Sequence, residues 1–303
     1  MQIFFGIEIG GSKLQIVAGD ESAKILHRHR IVVKKGETGA GIRREIELAL
    51  GELLLKFKPA AIGVGFGGPV DWRTGQICCS HQIEGWADFP LAKWLSSLAQ
   101  VPVLVDNDAN VGALGEALHG AGKHFDPAFY ITLGSGVGGG LAMDGKIFHG
   151  AKPGESEIGH VRLDKSGRIV ESSCAGWAVD KKIREEISKN PGGALAKLAG
   201  AQIGGEAKFL RTALEKNDSA AQRILNETAE DLAFGLSHVV HLFHPEVIVL
   251  GGGLSLVGEP LRSAVEKFLG TFTMEAFAPG PKISLANLGE DAVPVGALKL
   301  AAG

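Results

Sequence analysis

One arrangement, a strand, a glycine turn and a second strand, occurs twice in this sequence, and the repetition constrains the fold more than any other feature. The first copy is "IFFGIEIGGSKLQIVAGD", residues 3–20, and the second is "AFYITLGSGVGGGLAMDGK", residues 128–146. Ile7, Ile9 and Gly10 of the first correspond to Ile131, Leu133 and Gly134 of the second. In both, an apolar run ends in glycines, which enter tight turns without a Cβ penalty, and an alternating strand follows. A supersecondary unit repeated within one chain implies two domains of like topology.

The segments between the repeats alternate in type. "RIVVKK" reads as a third strand, and residues 40–56 form an amphipathic helix with Ile42, Ile46, Leu50, Leu53 and Leu54 on one stripe. "AAIGVGFGGPVD" is a buried strand running into a loop, a helix over 91–98 follows, and "VPVLVD" is the next strand. Later come a long helix over 223–243, the buried strand "EVIVL", a helix with Pro260 in its first turn, the strand "KISLANL" and a terminal helix. Strands and helices in alternation imply an α/β sheet covered on both faces. The boundary is expected near Ala109, giving an N-terminal unit 1–109 completed by 291–303 and a larger unit 110–290, meeting across a cleft.

Composition narrows the partners. A net charge of -3, a pI near 6.4 and no basic stripe argue against nucleic acid. No apolar run approaches the roughly 20 residues that span a bilayer, and a charged n-region with an apolar h-region is missing. A cytoplasmic location is expected, consistent with only 3 cysteines, two of them adjacent at Cys78 and Cys79.

"GSGVGG", Gly134 to Gly139, fits GxGxxG, but a dinucleotide site needs a helix after the turn, and "LAMDGKIF" alternates like a strand. "GIEIGGSK", Gly6 to Lys13, has two glycines at P-loop spacing, with Ser and Lys reversed and no helix following. What survives is a pair of glycine hairpins exposing backbone N–H groups that suit phosphate oxygens. A triphosphate gripped from both sides would meet Ser12 and Lys13 as well.

A second feature is "VLVDNDANVGALGE", where an apolar strand ends in Asp106, Asn107 and Asp108 ahead of an alanine-rich helix. Capping accounts for one of them, with Asn110 or Asp108 expected to start the helix. The carboxyl end of a strand in an α/β sheet is where ligands bind. Phosphoryl transfer requires a carboxylate near the acceptor hydroxyl. Asp106 and Asp108 alternate onto one side of an extended chain, so periodicity leaves the choice between them open.

The motifs "IEIGGSK", "GFGGPVD", "VDNDAN", "TLGSGVGGG", "EIGH" and "VIVLGGG", in that order over nearly the whole chain, resemble those of the ROK family of bacterial sugar kinases and sugar-responsive repressors. The resemblance implies the two-domain actin-like ATPase fold, ribonuclease H-like, with ATP and Mg²⁺ in the interdomain cleft. It implies that Asp108, between an asparagine and an alanine, is the catalytic base, with Asp106 supporting the loop. It places Gly68, Asn107, Glu157, His160 and Glu171 on a hexose, and Gly10, Gly11, Ser12, Lys13, Gly134, Ser135, Gly136, Gly252 and Gly253 on ATP. Relatives are commonly dimers, so a homodimer is expected.

Departures from the family pattern fall at three places. Glu8 stands where the family usually has Asp, so it would reach Mg²⁺ through one fewer water; a strand residue merely facing solvent is the plain alternative. Gly67 replaces a usual proline. The interval "VRLDKSGRIV" lacks the cysteines that bind zinc in many relatives, and Cys174 alone cannot close a tetrahedral site, so no structural zinc is expected. "CCSH" has the wrong spacing for a metal, and His27 and His29 are expected at the surface of a strand.

The leading expectation is ATP-dependent phosphorylation of a hexose, glucose or an amino-sugar relative, at O6. A sugar-responsive regulator would need a DNA-binding module ahead of the first hairpin, which already starts at Ile3. A sugar-binding protein with weak activity is the third reading, suggested by Glu8 and the missing zinc motif.

Overall fold

The structure, a computed structural model, describes residues 1–303 apart from Ser12, Lys34, Lys35, His81, Gln82, Pro153 and Glu155. The chain divides into two compact units, one of residues 1–124, 140–156 and 288–303, the other of 125–139 and 157–287. Among the described residues no helix is long and apolar enough to cross a membrane.

The first unit is built on a five-stranded sheet. β1 (Ile3–Ile9), β2 (Lys13–Asp20) and β3 (Ile25–Val32) run antiparallel, and β4 (Pro59–Phe66) and β7 (Val103–Asn107) add in parallel, in the order β3-β2-β1-β4-β7. A two-stranded ribbon, β5 (Val70–Asp71) with β6 (Gln76–Ile77), follows β4. α1 (Gly39–Lys56) starts at Thr38, whose side chain accepts the Gly41 N–H. α2 (Leu91–Ala99) and α3 (Asp108–His119) complete the segment. Period-2 alternation divides β1. Phe5, Ile7 and Ile9 join Ile42, Ile46, Leu50 and Leu53 of α1 in one core, whereas Phe4, Gly6 and Glu8 face the other way.

That second face is covered by the terminal helix α10 (Ala292–Ala302), whose backbone lies directly on the sheet. A Cβ on Gly63 would stand 1.9 Å from the Ala297 carbonyl oxygen, and one on Gly6 2.9 Å from that of Pro294. α3 packs on α10 in the same way, since a Cβ on Gly115 would meet the Ala292 oxygen at 2.3 Å and one on Gly296 the Val111 oxygen at 1.8 Å. Pro294 sits in the first turn of α10, where its missing N–H costs nothing. These contacts hold α3 in the first unit, whose first segment runs to residue 124.

The second sheet has the order β10-β9-β8-β11-β12. β8 (Ala128–Leu133), β11 (Val247–Gly251) and β12 (Lys282–Leu285) are parallel, and β9 (Val137–Met143) pairs antiparallel with β10 (Lys146–Ile147). β11 is buried throughout, as an unbroken apolar run in a parallel sheet should be. The second unit holds β8, β11 and β12 of this sheet, with α4 (Val170–Cys174), α5 (Gly176–Lys189), α6 (Ala194–Ala199), α7 (Leu210–Glu215), α8 (Ser219–Phe243) and α9 (Glu259–Phe272). Asp218 caps α8 by accepting the Ala221 N–H at 2.8 Å. β3 begins earlier than "RIVVKK" suggests and takes in His27 and His29, which are half-buried.

Candidate functional site

In the first unit, β7 delivers three polar residues to its carboxyl end, and the structure separates their roles. Asn107 is extended, with φ -63 and ψ 145, and its Oδ1 accepts the N–H groups of Ala109 at 2.8 Å and Asn110 at 3.3 Å. Asn107 is therefore the N-cap of α3, rather than Asn110 or Asp108, because only the residue immediately before the helix has the extended backbone that points its side chain back at the free N–H groups. Its Nδ2 donates to the Gly68 carbonyl at 3.2 Å. Asp108, half-buried, is the first residue of α3, where the positive end of the helix favours a carboxylate.

Asp106 is 2% exposed and fully engaged. Its Oδ1 accepts the Asn107 N–H at 2.8 Å and Asn110 Nδ2 at 3.0 Å, and its Oδ2 meets His149 Nε2 at 2.6 Å. The two acids that alternation places on one side thus differ: Asp106 is buried and bonded into the loop, and Asp108 stands at the helix start. His149 carries no local motif and was not expected from sequence; it lies 43 residues from Asp106.

Two glycine loops meet beside Asp108. Gly10 N–H donates to the Lys13 carbonyl and Gly67 N–H to the Ile9 carbonyl, each at 2.8 Å, tying the first glycine hairpin to the loop after β4. From the point that a Cβ on Gly67 would occupy, Asp108 Oδ2 is 3.3 Å away and Gly10 Cα 3.4 Å. A Cβ on Gly68 would lie 2.9 Å from the Cys79 oxygen, so glycine is required there. Lys13, exposed, has its Nζ 3.4 Å from Glu290 Oε1. Ser12 lies outside the described residues, as does His81 of "CCSH".

Glu8 is buried, not facing solvent. Gln15 Nε2 donates to its Oε2 at 2.5 Å, Arg28 donates to Gln15 Oε1 at 2.8 Å, and the same guanidinium reaches Asp291 Oδ1 at 2.6 Å. Burial pushes the Glu8 carboxyl up to about 6, against the lowering by the Gln15 hydrogen bond and Lys13, with Asp108 and Glu290 adding to the rise. Because the rise comes first from burial, a cation placed beside this carboxyl would favour its charged form. Among the described residues no cluster of three or more His, Cys, Asp or Glu could hold a metal.

The second unit gathers the remaining candidates around the second glycine turn. Gly134 N–H donates to the Gly136 carbonyl at 2.9 Å, and Gly176 N–H to the Gly134 carbonyl at 2.8 Å. Glu171 Oε2 accepts the Val137 N–H at 2.9 Å, and a Cβ on Gly136 would stand 2.8 Å from that oxygen. Gly252, with φ 79, packs so closely that a Cβ would be 2.5 Å from Leu133 N. Side chains added at Gly134 or Gly253 would meet no protein atom within 4 Å, so both present bare backbone. Ser135 is exposed at the turn.

Glu157 precedes and His160 ends a short 3-10 helix, Ile158–His160, whose Gly159 lies against the Val137 carbonyl; both residues are exposed. The interval after it closes on itself. Asp164 Oδ1 accepts from Ser166 N–H at 2.8 Å, Ser166 Oγ at 2.5 Å, Gly167 N–H at 3.1 Å and Arg168 N–H at 3.3 Å. The Ser166 hydroxyl leads in holding this carboxyl down at about 2. Arg168 in turn reaches Asp231 of α8 at 3.1 Å.

An α/β chain with a glycine turn in each unit and an acid at the carboxyl end of the parallel edge strand β7 fits a class of phosphate-handling proteins. The chain belongs to the ROK family, whose model matches residues 4–303, and it has the two-domain actin-like fold of that family. It is 31% identical to a glucokinase of Halalkalibacterium halodurans, over 97% of this chain and 93% of that one. It is 24% identical to the xylose repressor of Caldicellulosiruptor bescii, over 97% of this chain and 77% of that one. A crystal structure of a ROK family glucokinase from Streptomyces griseus in complex with glucose and AMPPNP superposes with a TM-score of 0.86 at 29% identity, covering 99% of each chain.

Proposed function

We propose that this protein transfers the γ-phosphoryl group of ATP to a hexose, glucose or an amino-sugar relative, at O6. The observation that carries the reading is Asp108 at the start of α3, beside Gly10 of the first hairpin and Gly67 of the loop after β4. The glucokinases among its relatives support a sugar kinase, and the glucose and AMPPNP bound by one of them support a hexose and ATP as substrates.

Asp108 acts as general base, accepting the proton of the attacking hydroxyl; a positioned base contributes about 10² to 10⁴ in rate. Asn107 keeps its Oδ1 on the helix cap and one N–H on Gly68, leaving its second N–H for a sugar oxygen. Gly68 brings backbone to the sugar, and Glu157, His160 and Glu171 supply acceptors and donors for further hydroxyls. Gly10, Gly11, Ser12 and Lys13 take phosphate oxygens in one unit, and Gly134, Ser135, Gly136, Gly252 and Gly253 take the nucleotide in the other. Glu8 would hold Mg²⁺ through water. When bound, Mg²⁺ neutralises charge on the phosphates.

The test is an ADP-release screen over glucose, mannose, fructose, allose, N-acetylglucosamine and N-acetylmannosamine with Mg·ATP. Release that depends on one of these sugars is expected. No sugar-dependent release, with a sugar still binding, would favour a sugar-binding or regulatory protein with weak or no kinase activity, a reading that the xylose repressor among the relatives keeps open.

A further inference from the structure

His149 is neither the base nor a substrate ligand of the proposed transfer, yet it links two loops of the candidate site within the first unit. Its Nε2 is 2.6 Å from Asp106 Oδ2, with the two side chains 17% and 4% exposed. The other Asp106 oxygen already accepts the Asn107 N–H and Asn110 Nδ2. A carboxylate only accepts, so Nε2 carries the proton of this bond. The imidazole face stacks on Trp72, with ring centroids 4.1 Å apart and planes 15° from parallel. Lys152, three residues further on, pairs with Asp71 beside that indole. The segment 149–152 is therefore fastened both to the residues that follow the Gly68 loop and, through Asp106, to the cap of α3.

We propose that His149 is a positioning residue for phosphoryl transfer: by pairing with Asp106 Oδ2 and stacking on Trp72, it fixes the Asp106 carboxylate that holds the Asn107 backbone and Asn110, and so sets where Asp108 stands. The proposal rests on the kinase reading. Without a donor from His149, a nearly buried carboxylate oxygen loses its partner, and such a group turns toward any other donor it can reach. Its turning strains or breaks the two bonds on Oδ1, and the start of α3 moves with them. A displacement near 1 Å at a reacting group costs about 10²-fold in rate.

Two variants separate the ring from the donor. His149→Phe keeps an aromatic face for Trp72 and removes the hydrogen bond, and His149→Gln restores an N–H donor without the ring. Turnover, KM for sugar and for ATP, and amide hydrogen exchange over residues 105–113 are measured on each. His149→Phe is expected to lose about 10- to 100-fold in kcat with KM for ATP little changed, and to exchange faster at Asn107 to Asn110. His149→Gln is expected to recover most of both. If His149→Phe does not fold, His149→Ala takes its place. Wild-type kcat in the donor-free variant, unchanged exchange at those amides, or a glutamine variant no better than phenylalanine would overturn the proposal. If the wild type transfers no phosphoryl group to any sugar, the kinase reading fails and the catalytic role of His149 falls with it. The exchange measurement then decides the remaining structural link, and unchanged amides overturn that too.

Discussion

Asp108 Oδ2 stands 3.3 Å from the position that a Cβ on Gly67 would take, and Gly10 Cα is 3.4 Å from the same point. The acid and two glycine loops thus share one small volume with no room for a methyl group unless something yields. Gly67→Ala should push the carboxylate by a few tenths of an ångström. The expected outcome is a fall of about tenfold in kcat with a melting temperature close to wild type, read from steady-state kinetics and a thermal melt. Unchanged turnover would mean that the space around Asp108 is slack.

Glu8 provides the pH prediction. Its carboxyl titrates near 6 in the folded chain, against an ordinary 4.5. Between those values the folded state binds more protons than the unfolded state, so stability falls as pH rises through the window and the deficit is complete above it. The difference corresponds to about 2 kcal/mol. Without metal or nucleotide, Glu8→Gln should lose this slope and be more stable than wild type at pH 7, while matching it more nearly at pH 4.5. Denaturant midpoints in EDTA at the two pH values check this, and an undiminished slope in Glu8→Gln would assign it to other groups.

Cys174 is wholly buried, with its Sγ 3.6 Å from the Thr228 carbonyl, and burial pushes its thiol up to about 12. Only the thiolate reacts. A thiol reagent at pH 8 should modify the exposed Cys78 in the native protein and reach Cys174 only after unfolding, as read by peptide mass spectrometry.

Glu116, 1% exposed, accepts the Leu288 N–H at 2.8 Å and the Ala121 N–H at 2.7 Å, joining the end of α3 to the approach to α10. Glu116→Ala leaves both amides without this acceptor and should cost about 2–4 kcal/mol in chemical denaturation. Glu116→Gln, which keeps one oxygen acceptor, should cost less.

What the sequence made legible was local: apolar strands running into glycine turns, and a polar cluster where β7 ends. Alternation could not separate Asp106 from Asp108, because both lie on one side of the extended chain and the distinction depends on His149, remote in sequence. The burial of Glu8 likewise depends on Gln15 and Arg28 on neighbouring strands and on Asp291 near the far end of the chain. The packing of α3 on α10 escaped notice because it is made by backbone against backbone at Gly115 and Gly296, and a glycine in a helix does not announce whether something presses on it. Asp164 lies in an interval that stands out in the sequence only by its lack of cysteine, although its carboxylate organises that turn.

The measurement that bears most directly on the account compares wild type with Asp108→Asn, recording sugar-dependent ADP release by a coupled assay and sugar affinity by calorimetry. Turnover is expected to be lower by about 10² to 10⁴ in Asp108→Asn, with the sugar bound nearly as tightly as by wild type. Turnover close to wild type in that variant would contradict it.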